Sequence, residues 1–400
     1  MEKIELLAPA GDLETVKTAS RFGADAVYIG GPLLQLRADR AAFSPDDIGL
    51  AADYLHCRGK RLYVAVNSFA KNTEIGSVAD YVNLLKELGV DAVIVSDLGV
   101  LAEVKASVPT MEVHVSTQAN CQNYRAAQVY HTLGASRIVL ARELSLAEIA
   151  DLRANVPDDL VLEAFIHGAM CMAYSGRCLL SAYLTGRSGN RGECAQSCRW
   201  NYHLVEETRP GEYFPIEADP DGTAILSSHD LCCISFLDQI LDAGVTSLKI
   251  EGRMKTPYYV ATVTNAYRRA LDRSASMQAL ESELEAISHR PYSSGFYFGE
   301  LKTPAPNDGR YRQSCRFVGV VKRCAGRRVV VEQRNRFSEG ETLEVLSPHS
   351  MGLRFEAKHL EDRFGTPIVS APHAQEEISM DCPFSLSEGD FLRVRAAEVS

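Results

Sequence analysis

Residues 61–67, RLYVAVN, lead through 78–90, VADYVNLLKELGV, into 91–97, DAVIVSD. The two outer runs are short and almost wholly apolar, as in strands buried on both faces. The middle run spaces its apolar residues three and four apart, as in a helix with one buried side. Strand, covering helix and second strand make one parallel unit. The unit recurs in both directions. Before it stand IELLAPA and DAVYIG; after it come EVHVSTQ, RIVLARE, LVLEAFIH and, much later, SLKIEG. DLETVKTASRFGA and SLAEIADLRANV have the helical spacing, and the second opens with Ser145 and Glu148 as a capping box. Eight such strands predict a (β/α)8 TIM-type barrel. A doubly wound sheet, with fewer strands, is the alternative.

In a barrel, chemistry belongs at the C-terminal strand ends. The polar residues there are Asn67, Asp97, Gln118, Arg142 with Glu143, His167, and Glu251 with Arg253. The connection over 168–246 then becomes an insertion after strand seven on the active face. It holds Cys171, Cys178, Cys194, Cys198, Cys232 and Cys233, six of the eleven cysteines. Connections this long are usually functional or disordered, and dense cysteines with apolar neighbours favour order.

The texture changes after the barrel. Proline, glycine and polar residues over 301–314 read as a linker between a barrel domain at 1–300 and a small all-β barrel or sandwich at 315–400. Its strands are RFVGVV, RRVVVEQ, ETLEVL, RFEAKHL and DFLRVRA, with SEGE and SEGD as turns.

Composition narrows the setting. The 400 residues are 46% hydrophobic and 24% charged, and no apolar run is long enough to span a bilayer. MEKIELLAPAG lacks the layout of a signal peptide, so a cytoplasmic protein with no membrane partner is expected. In that reducing compartment clustered cysteines suggest a metal site or redox chemistry rather than disulfides. The net charge of −10 argues against indiscriminate polyanion binding, yet 301–336 carries ten Lys or Arg against two acids. Such a stretch attracts phosphate backbones or is a solvated loop.

Several readings compete for the thiols. Structural zinc takes ligands in pairs two to four residues apart, which Cys194 and Cys198 satisfy and Cys171 and Cys178 do not. An iron–sulfur cluster accepts wider spacing. A thiol protease would need one activated cysteine beside a histidine, such as His167 before Cys171. Inert buried thiols are the plain alternative.

Glu163, Phe165, Gly168, Ala169, Met170, Cys171, Gly176, Cys178, Leu180 and Ser181 follow the pattern E-x-F-x-x-G-[SA]-[LIVM]-C-x4-G-x-C-x-[LIVM]-S. In this the chain resembles the peptidase U32 family, the so-called collagenase-like proteases. The resemblance extends through LLAPAGDLE, DAVYIGG, STQANCQN, SSHDLC, SLKIEGRMK and the C-terminal β domain. No His-Glu-x-x-His and no Gly-x-Ser-x-Gly motif supports peptidase chemistry. Better-understood relatives are oxygen-independent hydroxylation proteins that take a hydroxyl group from prephenate. Their substrates are the wobble uridine of tRNA, a cytidine of ribosomal RNA, or a ubiquinone precursor. The resemblance implies a [4Fe–4S] cluster on Cys171, Cys178, Cys194 and Cys232; Cys198 and Cys233 each lie close to one of these and could take its place. A barrel with one β domain is similar to the branch that hydroxylates tRNA.

On that reading Arg142 and Arg253 are partners for a dianionic donor, with Lys255 following the last strand. His167 and Glu251 join Arg142 as candidate catalytic groups, and Asn67 and Gln118 as substrate contacts. For Arg142 an ion pair with Glu143 or a neighbouring carboxylate is the structural alternative, and for His114 a hydrogen-bonded place in the core. Arg310, Arg312 and Arg316, interleaved with Tyr311, suit RNA phosphates and bases.

Overall fold

The computed structural model describes residues 4–36, 42–171, 173–200, 204–205, 213–214, 229–299 and 311–395. They fall into two compact units: Met1–Ser20 with Ala24–Thr256 and His289–Tyr311, and Arg21–Gly23 with Pro257–Ser288 and Arg312–Ser400.

In the first unit the apolar runs become β1 (Glu5–Pro9), β2 (Ala26–Gly30), β3 (Arg61–Val66), β4 (Ala92–Val95), β5 (Glu112–Val115), β6 (Arg137–Val139) and β7 (Val161–Ala169). β8 (Asp230–Cys232) and β9 (Ser247–Ile250) follow. Strands β1 to β7 pair in parallel in chain order, and β9 closes the ring by pairing in parallel with both β7 and β1. This is the expected eight-stranded barrel, with helices between the strands. Its strands are buried almost throughout because helices cover one face and side chains fill the other.

Helix starts follow local chemistry. Ser44 caps Pro45–His56, Asp97 caps Leu98–Ser107 and Asn123 caps Tyr124–Thr132. Ser145 and Glu148 form the capping box read from the sequence. The Asp97 carboxylate accepts from Gly99 and Val100 N–H, so this strand-end acid serves the helix.

Part of the barrel interior is charged. Arg137 meets Glu5, Glu163, Ser247 and the Tyr63 hydroxyl, and Lys249 donates to Glu163 at 2.8 Å. Burial opposes the charge of Glu163, but Lys249 and Arg137 outweigh it and hold its carboxyl down to about 2. His114 packs edge-on against Tyr63, and burial lowers it to about 4, so it is a neutral core histidine.

β7 is longer than the sequence suggested. Its last three residues, His167 to Ala169, pair antiparallel with β8, which in turn carries β10 (Tyr292–Ser293). The excursion from β7 to β9 is thus anchored to the barrel at both its ends.

The second unit is an antiparallel β domain. The chain forms β11 (Cys315–Ala325), β12 (Arg328–Gln333), β13 (Thr342–Leu346), β14 (Arg354–Glu356), β15 (Glu377–Asp381) and β16 (Phe391–Arg395). They join in the order β14-β13-β16-β11-β12-β15, an open order of hydrogen bonds among the described residues. β12 alternates buried and half-buried positions, and its Val329 and Val331 meet Val318, Leu343, Ile378 and Leu392 in the core. β15, reading EISMD between acids, is absent from the sequence expectation. Helices Pro257–Leu271 and Met277–Leu284 belong to this unit: the Tyr258 ring stacks on Phe317 with centroids 4.9 Å apart, and Arg393 bonds Glu283 and Glu344. Residues 301–310, most of the expected linker and including Arg310, lie outside the described residues.

Candidate active site at the barrel mouth

The C-terminal half of the barrel brings three cationic side chains towards two rings, Phe165 and Tyr28. Arg142 lies with its guanidinium carbon 3.8 Å from the Phe165 ring centroid, and Lys249 sits 5.4 Å from the same ring. Lys249 is also 4.5 Å from the Tyr28 centroid and Arg253 6.0 Å from it. Cations over ring faces are favoured by the ring quadrupole. Arg142 donates to the Ala169 carbonyl at 2.8 Å and lies 3.8 Å from Glu251, not Glu143. Arg253, 7% exposed, donates to Gln35 Oε1 at 3.1 Å. Lys255 lies 5.1 Å from the Tyr311 centroid, and burial lowers its ammonium from the usual range.

Polar atoms without partners line the same rim. Asn67 donates through Nδ2 to Ser116 Oγ at 3.3 Å, but its buried Oδ1 has no hydrogen-bond partner among the described residues. The buried Nε2 of Gln35 likewise has none. Ser68 N–H donates to the Leu34 carbonyl at 2.8 Å and ties the two loops together. Buried amides nearly always find a partner, so these two suit a polar ligand. Gln35, Tyr28 and Lys249 were not singled out from the sequence, and Phe165 only as a position of the signature. DAVYIGG and the signature stretch contain two of them, but neither motif reveals which side chains face the mouth.

The excursion lies against this rim. Ser175 donates to Glu143 through both its N–H, at 2.7 Å, and its hydroxyl, at 3.0 Å. Arg191 pairs with Glu74 at 2.7 Å and reaches the Phe69 carbonyl. Gly176, at φ +72°, touches Gln118: a Cβ there would stand 2.0 Å from the Gln118 carbonyl oxygen. Gln118 therefore seats the excursion through its backbone.

These anchors gather the thiols. Burial and the thiols of Cys171, Cys194 and Cys178 push the Cys198 thiol up, so each of those three lies within electrostatic reach of Cys198. Cys232 stands on β8 opposite His167, and Cys233 behind it is fully buried, its thiol pushed well up by that burial. All eleven cysteines are free of disulfides. Among the described residues no three Cys, His, Asp or Glu side chains already stand in metal-holding geometry. As a donor set, gathered thiols without disulfides fit an iron–sulfur cluster.

His167 is 1% exposed, its ring tilted on Tyr292, which stacks on His289. Burial lowers it to about 3, so it is neutral at pH 7, and its strand position pairs with Cys232 of β8. Glu251 is half-buried; its N–H donates to the His167 carbonyl and its carboxylate faces Tyr28 and Arg142. Arg316 pairs with Glu341 of its own unit.

The model of peptidase family U32 matches residues 11–305, and that of the U32 C-terminal domain matches 313–393. The chain belongs to peptidase family U32. Among its U32 relatives, tRNA hydroxylation protein P of Escherichia coli (strain K12) is 35% identical, over 93% of this chain and 92% of that one. tRNA hydroxylation protein P1 of Bacillus subtilis (strain 168) is 35% identical over 98% and 95%. The 23S rRNA 5-hydroxycytidine C2501 synthase of Escherichia coli (strain K12) is 39% identical over 68% of this chain and 39% of its own.

Proposed function

We propose that this protein is an iron–sulfur-dependent RNA hydroxylation enzyme of the cytoplasm that converts the wobble uridine of tRNA to its 5-hydroxy form, with prephenate as hydroxyl donor. The observation that carries the reading is the gathering of thiols on the rim of a cationic barrel mouth, in a chain similar over nearly its whole length to tRNA hydroxylation proteins. Cys171, Cys178 and Cys194 would hold three irons of a [4Fe–4S] cluster, with Cys232, implied by the family resemblance, and Cys198, which neighbours the other three, competing for the fourth. A bound cluster would supply electron transfer beside the mouth.

The protein's own groups bind and orient. Arg142 and Arg253 would clasp the two carboxylates of the donor, with Lys249 below them and Asn67 Oδ1 and Gln35 Nε2 offering an acceptor and a donor to its polar groups. Glu251 is the half-buried carboxylate beside that clasp and the group suited to moving a proton. His167, buried and neutral, acts as support.

Prephenate carrying a heavy-oxygen hydroxyl tests the reading with anaerobically purified protein and unmodified tRNA. Label should appear in the wobble nucleoside. Product whose oxygen comes from water would remove prephenate as the donor. Cleavage of gelatin by the same preparation, with no change in tRNA, would favour a peptidase.

A further inference from the structure

Residues 171–200 concentrate two features. The first is exposed rings: Tyr174, Tyr183 and Trp200 are 60%, 82% and 45% exposed, with Leu179 at 73% beside them. Single exposed apolar side chains need no explanation, but several within thirty residues do. The second is unspent positive charge. The segment has four arginines against one acid, Glu193, in a chain of net charge −10. Arg177 and Arg187 are exposed and have no ion-pair partner among the described residues, whereas Arg191 is committed to Glu74.

The local fold explains why the rings face out. Ser181 is the inward residue of the short helix Leu180–Thr185: its hydroxyl donates to the Arg187 carbonyl and accepts from Ala195 N–H. With Ser181 fixed inward, Leu179 and Tyr183, four residues apart, fall together on the outward side. The turn Ser197–Arg199 packs on this helix and carries Trp200. Cys178 directly precedes Leu179, and Cys198 lies two residues before Trp200, so the rings flank the thiols.

The β domain offers a weaker alternative. Five of its eight described cations over 311–336, namely Arg316, Lys322, Arg323, Arg328 and Arg334, are already ion-paired with acids of the same unit. Over 315–400 twelve Lys or Arg face thirteen Asp or Glu, so the cation surplus of its first strands is neutralised by the rest.

We propose that the excursion's outer face is the docking surface for unpaired bases of the RNA substrate, which stack on Tyr183 and Trp200 while Arg177 and Arg187 contact the flanking phosphates. The occupant is single-stranded: ring faces stack on unpaired bases and have no access to bases inside a duplex. This rests on the RNA reading above.

Binding of the full-length protein to a tRNA transcript across a salt series, with a stem-only RNA duplex as control, tests it. Tyr183→Ala and Trp200→Ala should each weaken tRNA binding about tenfold and leave the salt slope unchanged, since stacking releases no counterions. Arg177→Ala with Arg187→Ala should flatten the slope by about 1.4. Tyr183→Phe should bind as the parent does, and Phe364→Ala, an exposed ring of the β domain, should change nothing. Iron content and melting temperature of each variant report whether the fold is kept. Parent-like affinity in correctly folded Tyr183→Ala and Trp200→Ala would overturn the proposal. So would a change from dimer to monomer at unchanged tRNA affinity, which would make the face a contact between copies. If the parent itself bound no tRNA, the RNA reading would fail instead.

Discussion

Glu163 opens the family signature, yet its carboxylate is buried in the barrel interior between Lys249 and Arg137. Glu163→Gln should therefore act on stability. It leaves two buried cations without their shared anion, a loss of about 3–5 kcal/mol in denaturant unfolding. The pH dependence has a definite sign. The folded value of about 2 lies below the ordinary 4.5, so the pair's contribution is complete above the ordinary value and is lost as pH falls towards 2. Parent-like stability with lost activity would instead make Glu163 a group of the reaction. At the mouth, Arg253→Ala should weaken prephenate binding about tenfold in calorimetry while iron content is kept. Unchanged binding in both Arg253→Ala and Arg142→Ala would move the donor elsewhere. Arg142 and Arg253 were legible in the sequence because strand ends could be counted. The role of Glu163 was not, because its partners lie 26 and 86 residues away.

At the scale of elements, the excursion depends on a few contacts with the rim. Gly176 allows the closest of them, and a Cβ there meets both the left-handed backbone and the Gln118 carbonyl oxygen. Gly176→Ala should lift the turn between Cys171 and Cys178, lowering bound iron while the barrel keeps its melting temperature. Full iron content would mean that the turn yields without releasing its thiols. The cysteines divide in the same way. Cys171→Ala or Cys178→Ala should abolish visible absorbance and bound iron, whereas Cys57→Ala, on the far side of the barrel sequence, should leave both. Comparing Cys198→Ala with Cys232→Ala identifies the fourth ligand by the same readout. β7 and β9, the strands on either side of the excursion, were legible in the sequence because both are strongly apolar. It missed the extension of β7 to Ala169, because GA carries no strand preference; antiparallel pairing with β8 imposes it. It missed β15 for a related reason: a five-residue strand flanked by acids is recognisable only once β12 is beside it.

Across the whole molecule, charge is allotted unevenly. The β domain pairs most of the cations of its first strands with its own acids, while the excursion keeps exposed arginines beside exposed rings. Counting residues over 301–336 had suggested the reverse, because a linear count cannot see that Glu341, Glu361, Glu377 and Asp381 fold back onto those cations. Barrel and β domain were both legible from periodicity alone, since each satisfies its own hydrophobic pattern. The central claim is that thiols on the barrel rim serve RNA hydroxylation. Mass spectrometry of wobble nucleosides, in tRNA from cells lacking the gene and complemented with the parent, Cys57→Ala or Cys171→Ala, tests it most directly. 5-Hydroxyuridine-derived nucleosides should appear with the first two and be absent with Cys171→Ala. Equal modification in all three strains, or in the uncomplemented strain, would contradict it.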